Sequence, residues 1–415
     1  MRERKKRQDG LTRRALLKGT VGAAAVTLHG GAPSPQASAA QDARAQSPPG
    51  APSRQGRPPN ELGTRSPAEQ PKRLPSPTSS RTPLQDLHGT ITPSDLHFER
   101  HHGGVAVIDR QSYRLLVHGM VDRPMTFTLD DLKRFPAASR ICFLECSGNF
   151  VRTNGEKTTP QALCGLTSQS EWTGVRLTTI LREVGARPQA SWFLAEGQDA
   201  AQMTRSIPLK DVLEEAMIAY AQNGEALRPE QGYPARLLLP GFEGNSNVKW
   251  LRRLELADQP FMTREETSRY TEPLAEGSAR QFSLVMDARS IITWPSYPQT
   301  VRPGWLEIRG LAWSGRGRIQ RVEISTDRGG TWKAAELQGP VLPKAHTRFR
   351  LLWRWDGMPT EILSRAIDET GYVQPEWPAL QAVRGRRTRY HLNPITGWMV
   401  GADGRVLFGI GRVSA

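Results

Sequence analysis

A chain of 415 residues, 37% of them apolar, is long enough for two or more domains with cores of their own. No apolar run reaches the ~18 residues of a spanning helix, which excludes a helical membrane protein. The formal net charge of +15 fits an acidic partner, an anionic substrate or a solvated surface, but neither a nucleic-acid motif nor a stripe of basic and aromatic residues accompanies it.

The first forty residues hold eight of the basic residues and two acidic ones. Arg2, Lys5, Lys6, Arg7, Arg13, Arg14 and Lys18 make a basic region, Ala15 to Leu28 a mildly apolar one, and Ala37-Ser38-Ala39 a small-x-small cleavage site. Thr12-Arg13-Arg14-Ala15-Leu16-Leu17-Lys18 resembles the twin-arginine export signal, so residues 1–40 read as a signal peptide and the mature protein as periplasmic. Residues 41–90 carry ten prolines among Ser, Gln and Arg. Such composition buries too little surface to offset the entropy of ordering, and 41–86 reads as a disordered linker.

Organised sequence follows. Val105 to Val117 alternates as a strand does. Thr128 to Phe135 predicts a short helix, with Thr128 and Asp131 spaced as a capping box and Pro136 as the stop. Arg140 to Glu145 is an apolar strand ending in the turn Cys146-Ser147-Gly148-Asn149. Leu177 to Val184 predicts a helix closed by Gly185. Pro208 to Gln222 predicts the longest helix, with Leu209, Val212, Leu213, Ala216 and Tyr220 on one face. Leu237-Leu238-Leu239 is a buried strand stopped by Pro240. From about Ala279 the pattern is all-β: Phe349, Leu351, Trp353 and Trp355 alternate with Arg348, Arg350 and Arg354, and Asp327-Arg328-Gly329-Gly330 is a hairpin turn. The fold class is α+β: a mixed α/β domain over 87–278, then an immunoglobulin-like sandwich over 279–415.

Three cysteines, Cys142, Cys146 and Cys164, cannot form a full disulfide set. No Cys-x-x-Cys-His occurs, so a c-type haem on this chain is not expected. Cys142, between Ile141 and Phe143, reads as a small core residue, and Cys164 is ambiguous. Cys146 follows a strand and precedes a Ser-Gly-Asn turn, which puts a thiol at a sheet rim; on that pattern alone a ligand and a packed thiol stand equal. Adjacent His101 and His102, with no partner cluster near, do not read as zinc ligands.

Leu144-Glu145-Cys146-Ser147-Gly148-Asn149 resembles the molybdenum-ligating segment of the sulfite oxidase family. Six further segments match that family in order: Phe98-Glu99-Arg100-His101-His102, Glu196-Gly197-Gln198-Asp199, Ala219-Tyr220-Ala221-Gln222-Asn223-Gly224, Gly232-Tyr233-Pro234-Ala235-Arg236, Asn247-Val248-Lys249-Trp250 and Trp313-Ser314-Gly315-Arg316-Gly317-Arg318. Met203 to Pro208, Phe261 to Thr267 and Thr370 to Pro375 further resemble the molybdenum subunit of sulfane dehydrogenases of the Sox thiosulfate-oxidising system. The resemblance covers residues 85–415. It implies a sulfite-oxidase-type molybdopterin domain and a dimerisation sandwich, with a homodimer or a heterotetramer as the assembly.

It also implies a site. Cys146 would ligate molybdenum as a thiolate. Phe98, Glu99, Arg100, His101, His102, Asp199, Gln231, Arg236, Asn247, Val248 and Lys249 would hold the molybdopterin, with Arg236 and Lys249 on its anionic end. Arg100 and Arg318 would hold the oxygens of substrate and product, and Tyr220 would serve proton movement. The reaction implied is oxidation of carrier-bound sulfane sulfur or sulfite, with electrons passed to a monohaem or dihaem cytochrome c on another chain. Two departures bear on the substrate: Val151 stands where sulfite-oxidising relatives have arginine, followed by Arg152, and Gln231 stands where histidine is usual. Both predict free sulfite to be the poorer substrate. The competing readings are a plain sulfite dehydrogenase, a sulfoxide reductase and a metal-free scaffold protein of the periplasm.

Overall fold

The computed structural model describes residues 59, 61–151, 155–274, 276–386 and 388–409, so the export signal within 1–40 and Arg152 lie outside the described residues. Residues 65–415 form one compact unit. Strands dominate it, and among the described residues no helix is long and apolar enough to cross a membrane.

Two five-stranded sheets build the first half. One runs in the order Met125–Phe127, Leu115–Gly119, Leu251–Ala257, Trp192–Gly197, Thr204–Pro208. The other holds Glu225–Ala226, Met217–Gln222, Thr167–Arg176 and Ala137–Glu145, with Arg236–Leu238 also pairing Met217–Gln222. Leu115, Val117, Phe193, Ile218, Leu237 and Leu254 share one buried cluster. The helix Leu129–Arg134 opens with the expected capping box: Asp131 N donates to Thr128 Oγ1 at 3.1 Å and Thr128 N to Asp131 Oδ2 at 3.0 Å. The helix Leu177–Val184 ends at Gly185 in the left-handed region (φ 66°), as its sequence foretells.

Three expectations fail. Residues 208–222 are not a helix: Pro208 ends a strand, Leu209–Asp211 make one tight turn, and Met217–Gln222 is a strand. That strand is paired on both edges and apolar on both faces, so it lacks the alternation that would separate it from a helix. Only Leu115–Gly119 of the 105–117 stretch is a strand, and Val107 is fully exposed. The linker read over 41–86 is folded in its last part. Leu74–Ser76 and Ser79–Arg81 form a hairpin whose second strand pairs with Glu99–Arg100, and Leu84 is buried in the core. Composition averaged over fifty residues hides a hairpin that gains its order from a distant partner strand.

The second half is a sandwich. One sheet runs Arg289–Trp294, Gly304–Trp313, Thr347–Trp355, Glu336–Gln338; the other runs Lys333–Ala334, Ile319–Ser325, Thr360–Asp368, Thr396–Val400, Val406–Phe408. Phe349 and Trp355 are buried while Arg350 and Arg354 are exposed, the alternation the sequence predicts. Phe143, Phe150, Leu163 and Cys164 of the first half belong to the same buried cluster as Trp313, Phe349 and Trp398 of the sandwich. At Gly241 and Gly315 the two backbones meet: a Cβ on Gly315 would lie 2.1 Å from Gly241 O. Only glycine fits there.

Candidate active site

The last residues of strand Ala137–Glu145 run into the interior, where Cys142, Phe143, Leu144 and Glu145 are buried. The chain then turns. Cys146 N donates to Leu166 O at 3.0 Å, and Asn149 N donates back to Cys146 O at 2.8 Å. The Asn149 side chain closes the turn, donating to Glu145 Oε1 at 3.0 Å and accepting from Leu166 N at 2.7 Å. Glu145 is held from the sandwich by Arg289 at 2.9 Å and by the indole N–H of Trp313 at 2.7 Å. Cys146 is left half-buried on a cavity of about 420 Å³.

Cys142 and Cys164 lie in the core, and burial pushes their thiols up to about 12 and about 11. Burial also raises the Cys146 thiol, but the Gly148 N–H and Arg100 pull the other way. It is the one cysteine of the three that lines the cavity.

Every residue read as cofactor-binding lines the same cavity: Phe98, Glu99, Arg100, His101, His102, Asp199, Gln231, Arg236, Asn247, Val248 and Lys249. Arg236 donates to Gln231 O at 3.0 Å and Asn247 O at 2.9 Å, its face against Trp172; burial brings its pKa down to about 9. Gln231 Nε2 donates to Phe98 O at 2.9 Å. Lys249 Nζ meets His101 Nδ1 at 2.8 Å, and His101 Nε2 meets Glu99 Oε2 at 2.7 Å. Burial holds Lys249 well below its ordinary value. Asn247 spends its side chain on the backbone of Leu239 and Glu243, so its carbonyl is what reaches Arg236.

Two site residues fall elsewhere. Tyr220 sits half-buried on strand Met217–Gln222, packed on the core of the first half with Lys133 over its ring at 5.7 Å. It does not line the cavity; a strand in place of the expected helix turns its side chain away. Arg318 is exposed, its backbone N–H bonded to Glu369 Oε1 at 2.9 Å. Trp313 takes the inward position of that loop instead, while Arg316, also exposed, pairs with Asp287. Val151 does not line the cavity either.

The tyrosines at the cavity are Tyr270 and Tyr390, ring centroids 5.1 Å apart. Tyr270 Oη lies 3.0 Å from His102 Nε2. Behind its ring, at 4.9 Å, is buried Arg205, which donates to Glu266 Oε1 and Glu243 Oε1, both at 2.7 Å. Glu243 in turn meets His391 Nε2 at 3.2 Å. Burial opposes the charge on Glu243, but Arg205 overrides it and brings the carboxyl to about 2. Burial, then the sulfur of Cys146, raises the Tyr270 phenol. His391 N donates to Ser147 O at 2.8 Å, so the loop carrying Tyr390 is tied to the cysteine turn. Tyr270 follows the Phe261–Thr267 match by three residues and was within reach of that signal; Tyr390 and the hairpin residues Thr78, Ser79 and Arg81 carried none.

The cavity suits an anionic group. Arg81, Arg100, Arg236 and Lys249 face two carboxylates, Glu99 and Asp199, and Glu99 is already paired with Arg73 at 3.1 Å. Arg81 Nη1 and Arg236 Nε are buried donors without an acceptor among the described residues. Among the described residues no group of three or more His, Cys, Asp or Glu could hold a metal, so a metal at Cys146 needs a chelating cofactor for its other bonds. The residues present fit molybdopterin.

Two family models match: the oxidoreductase molybdopterin binding domain over residues 102–265, and the Mo-co oxidoreductase dimerisation domain over residues 280–397. Chicken (Gallus gallus) sulfite oxidase is 31% identical over 314 residues, 69% of this chain and 68% of that protein. Rat (Rattus norvegicus) mitochondrial sulfite oxidase is 32% identical over 69% of this chain, and NADH nitrate reductase of Ulva prolifera 31% over 72%. The match spans 57% of the rat protein and 40% of the algal one. The crystal structure of sulfane dehydrogenase SoxCD from Paracoccus pantotrophus superposes with a TM-score of 0.77 at 46% identity, covering 84% of this chain and 89% of that chain. With the cysteine turn, the cation-rich cavity and the paired sandwich all in the expected order, the chain belongs to the sulfite oxidase family of molybdopterin oxidoreductases.

Proposed function

We propose that this protein is a periplasmic, molybdenum-dependent oxidoreductase that oxidises a reduced sulfur compound and passes the electrons to a separate c-type cytochrome. The observation that carries the reading is one thiol, Cys146, facing a cavity that Arg81, Arg100, Arg236 and Lys249 also line. The 46% identity with a sulfane dehydrogenase supports sulfur chemistry over the nitrate chemistry named for other relatives. Export rests on the twin-arginine pattern at Thr12–Lys18. A homodimer through the sandwich, or a heterotetramer with the cytochrome, is the assembly we infer from the dimerisation-domain match.

When bound, the pterin-chelated molybdenum supplies the two-electron redox step. The protein's own residues do the rest. Cys146 would hold the metal as a thiolate, against the pull of burial. Arg236 and Lys249 would hold the anionic end of the cofactor. His102 and Tyr270, 3.0 Å apart, hold a proton between Nε2 and Oη at the cavity wall. Arg100 lines the same cavity and would attract an anionic substrate or product.

The preferred substrate is sulfane sulfur on a carrier, with sulfite secondary. Gln231 stands where a chargeable histidine is usual and makes a neutral bond to Phe98 O, and Val151 brings no guanidinium to the cavity. Purified protein analysed for molybdenum and assayed with sulfite, with and without a cytochrome c, tests this. About one molybdenum per chain and slow sulfite turnover are expected. A matured protein without molybdenum would end the enzymatic reading, and fast turnover at micromolar sulfite would make it a plain sulfite dehydrogenase.

A further inference from the structure

Arg81 is a cation with no carboxylate paired to it among the described residues. Its backbone is fixed: it pairs with Leu74 across the hairpin, its carbonyl accepts Gln161 Nε2 at 2.8 Å, and Thr82 N donates to Gly165 O at 2.8 Å. The backbone of residues 81–82 lies so close to Gly165 that a Cβ there would come within 2.8 Å of Arg81 Cβ. The side chain therefore runs into the cavity, which it lines together with Cys146.

There its Nη1 is buried and donates to no atom of the described residues. Burial lowers its pKa, and the groups that oppose this are the sulfurs of Cys164 and Cys146, with no carboxylate among them. The other cavity cations make side-chain hydrogen bonds, Arg236 with Gln231 and Asn247 through its terminal nitrogens, Lys249 with His101 and Glu230, Arg100 with His101 O. A desolvated guanidinium with an unmade hydrogen bond is unfavourable unless an anion joins it.

We propose that Arg81 binds an anionic group seated beside Cys146, making it a positioning residue on a hairpin that precedes the matched molybdopterin-binding segment. Two sources share this chemistry: the sulfur-rich end of the resident cofactor, and the anionic head of the sulfur substrate. The inference rests on the reading of Cys146 as the metal ligand, and the test keeps the two apart.

Arg81→Met, Arg81→Lys and Cys146→Ser are compared with the natural protein. The readouts are molybdenum per chain, the melting temperature of cofactor-free protein, and kcat and KM with sulfite as the probe. In cofactor-free protein, Arg81→Met should melt at a higher temperature, because it removes an unpaired buried charge. In loaded protein, a threefold or larger loss of molybdenum assigns the anion to the cofactor. Full molybdenum with a tenfold or larger rise in KM at little-changed kcat assigns it to the substrate. Arg81→Lys should recover part of either defect. The proposal is overturned if Arg81→Met keeps natural molybdenum content and KM, or if it fails to fold, since Arg81 would then be structural. Full molybdenum in Cys146→Ser would instead remove the ligand reading, whatever Arg81 does.

Discussion

The indole Nε1 of Trp313 donates to Glu145 Oε2 at 2.7 Å, joining the sandwich to the residue that directly precedes the cavity thiol. Trp313 and Glu145 are fully buried, so the bond is made away from water. Trp313→Phe leaves one carboxylate oxygen without its donor and should cost about 1–3 kcal/mol. Urea denaturation of the variant measures this. An unchanged midpoint would show that Arg289 and Asn149 suffice to hold Glu145.

The two tyrosines of this protein's second sheet and cavity wall give opposite expectations. Tyr270→Phe removes the hydroxyl beside His102 and should lower kcat by about 100-fold, in the range for loss of a proton-transfer partner. Tyr220→Phe should leave kcat unchanged, since that ring packs on the core away from the cavity. Steady-state kinetics on both variants decides between them; the reverse pattern would restore Tyr220 to the site.

Arg205 is a buried hub between Glu243 and Glu266. Replacing it by methionine strands two carboxylates in the interior, with an expected loss of about 3–5 kcal/mol. It also removes the cation behind Tyr270. Thermal unfolding with and without the substitution tests the first effect; a loss below 1 kcal/mol would mean that the carboxylates find other partners or water.

His97 and His346 are buried, and burial lowers each imidazole from its ordinary 6.5 to about 3. Between those values the unfolded chain binds protons that the folded chain does not, so stability rises with pH there and is lost as pH falls from 6.5 toward 3. Each histidine contributes a slope of about 1.4 kcal/mol per pH unit inside the window. Unfolding midpoints at pH 7, 6, 5 and 4 should decline, and substituting Gln for His346 should flatten the decline. A profile level from pH 7 to pH 4 would contradict it.

The cysteine turn and the segments that line the cavity were legible because each lies in a short contiguous stretch whose chemistry survives outside its context. Phe98 to His102, and Asn247 to Lys249, present their groups from single strands or turns, and the fold brings them to one cavity. What was illegible depends on distant pairing. The hairpin Leu74–Arg81 has loop composition and owes its order to Glu99–Arg100. Met217–Gln222 is apolar on both faces because strands flank it, so its pattern imitates a helix and misplaces Tyr220. Tyr390 comes from a loop of the other half that His391 N ties to Ser147 O, a backbone contact that no side-chain motif records.

The contact at Gly241 and Gly315 bears on how such proteins can be recombined. With the main chains of the two halves in direct apposition there, a foreign sandwich could meet Gly241 only with a glycine at the position of Gly315. A chimaera that swaps the sandwich alone, with its junction near residue 279, should inherit a displaced Trp313 and hence a loosened cysteine turn. Exchange among relatives is expected to succeed only when both halves travel together.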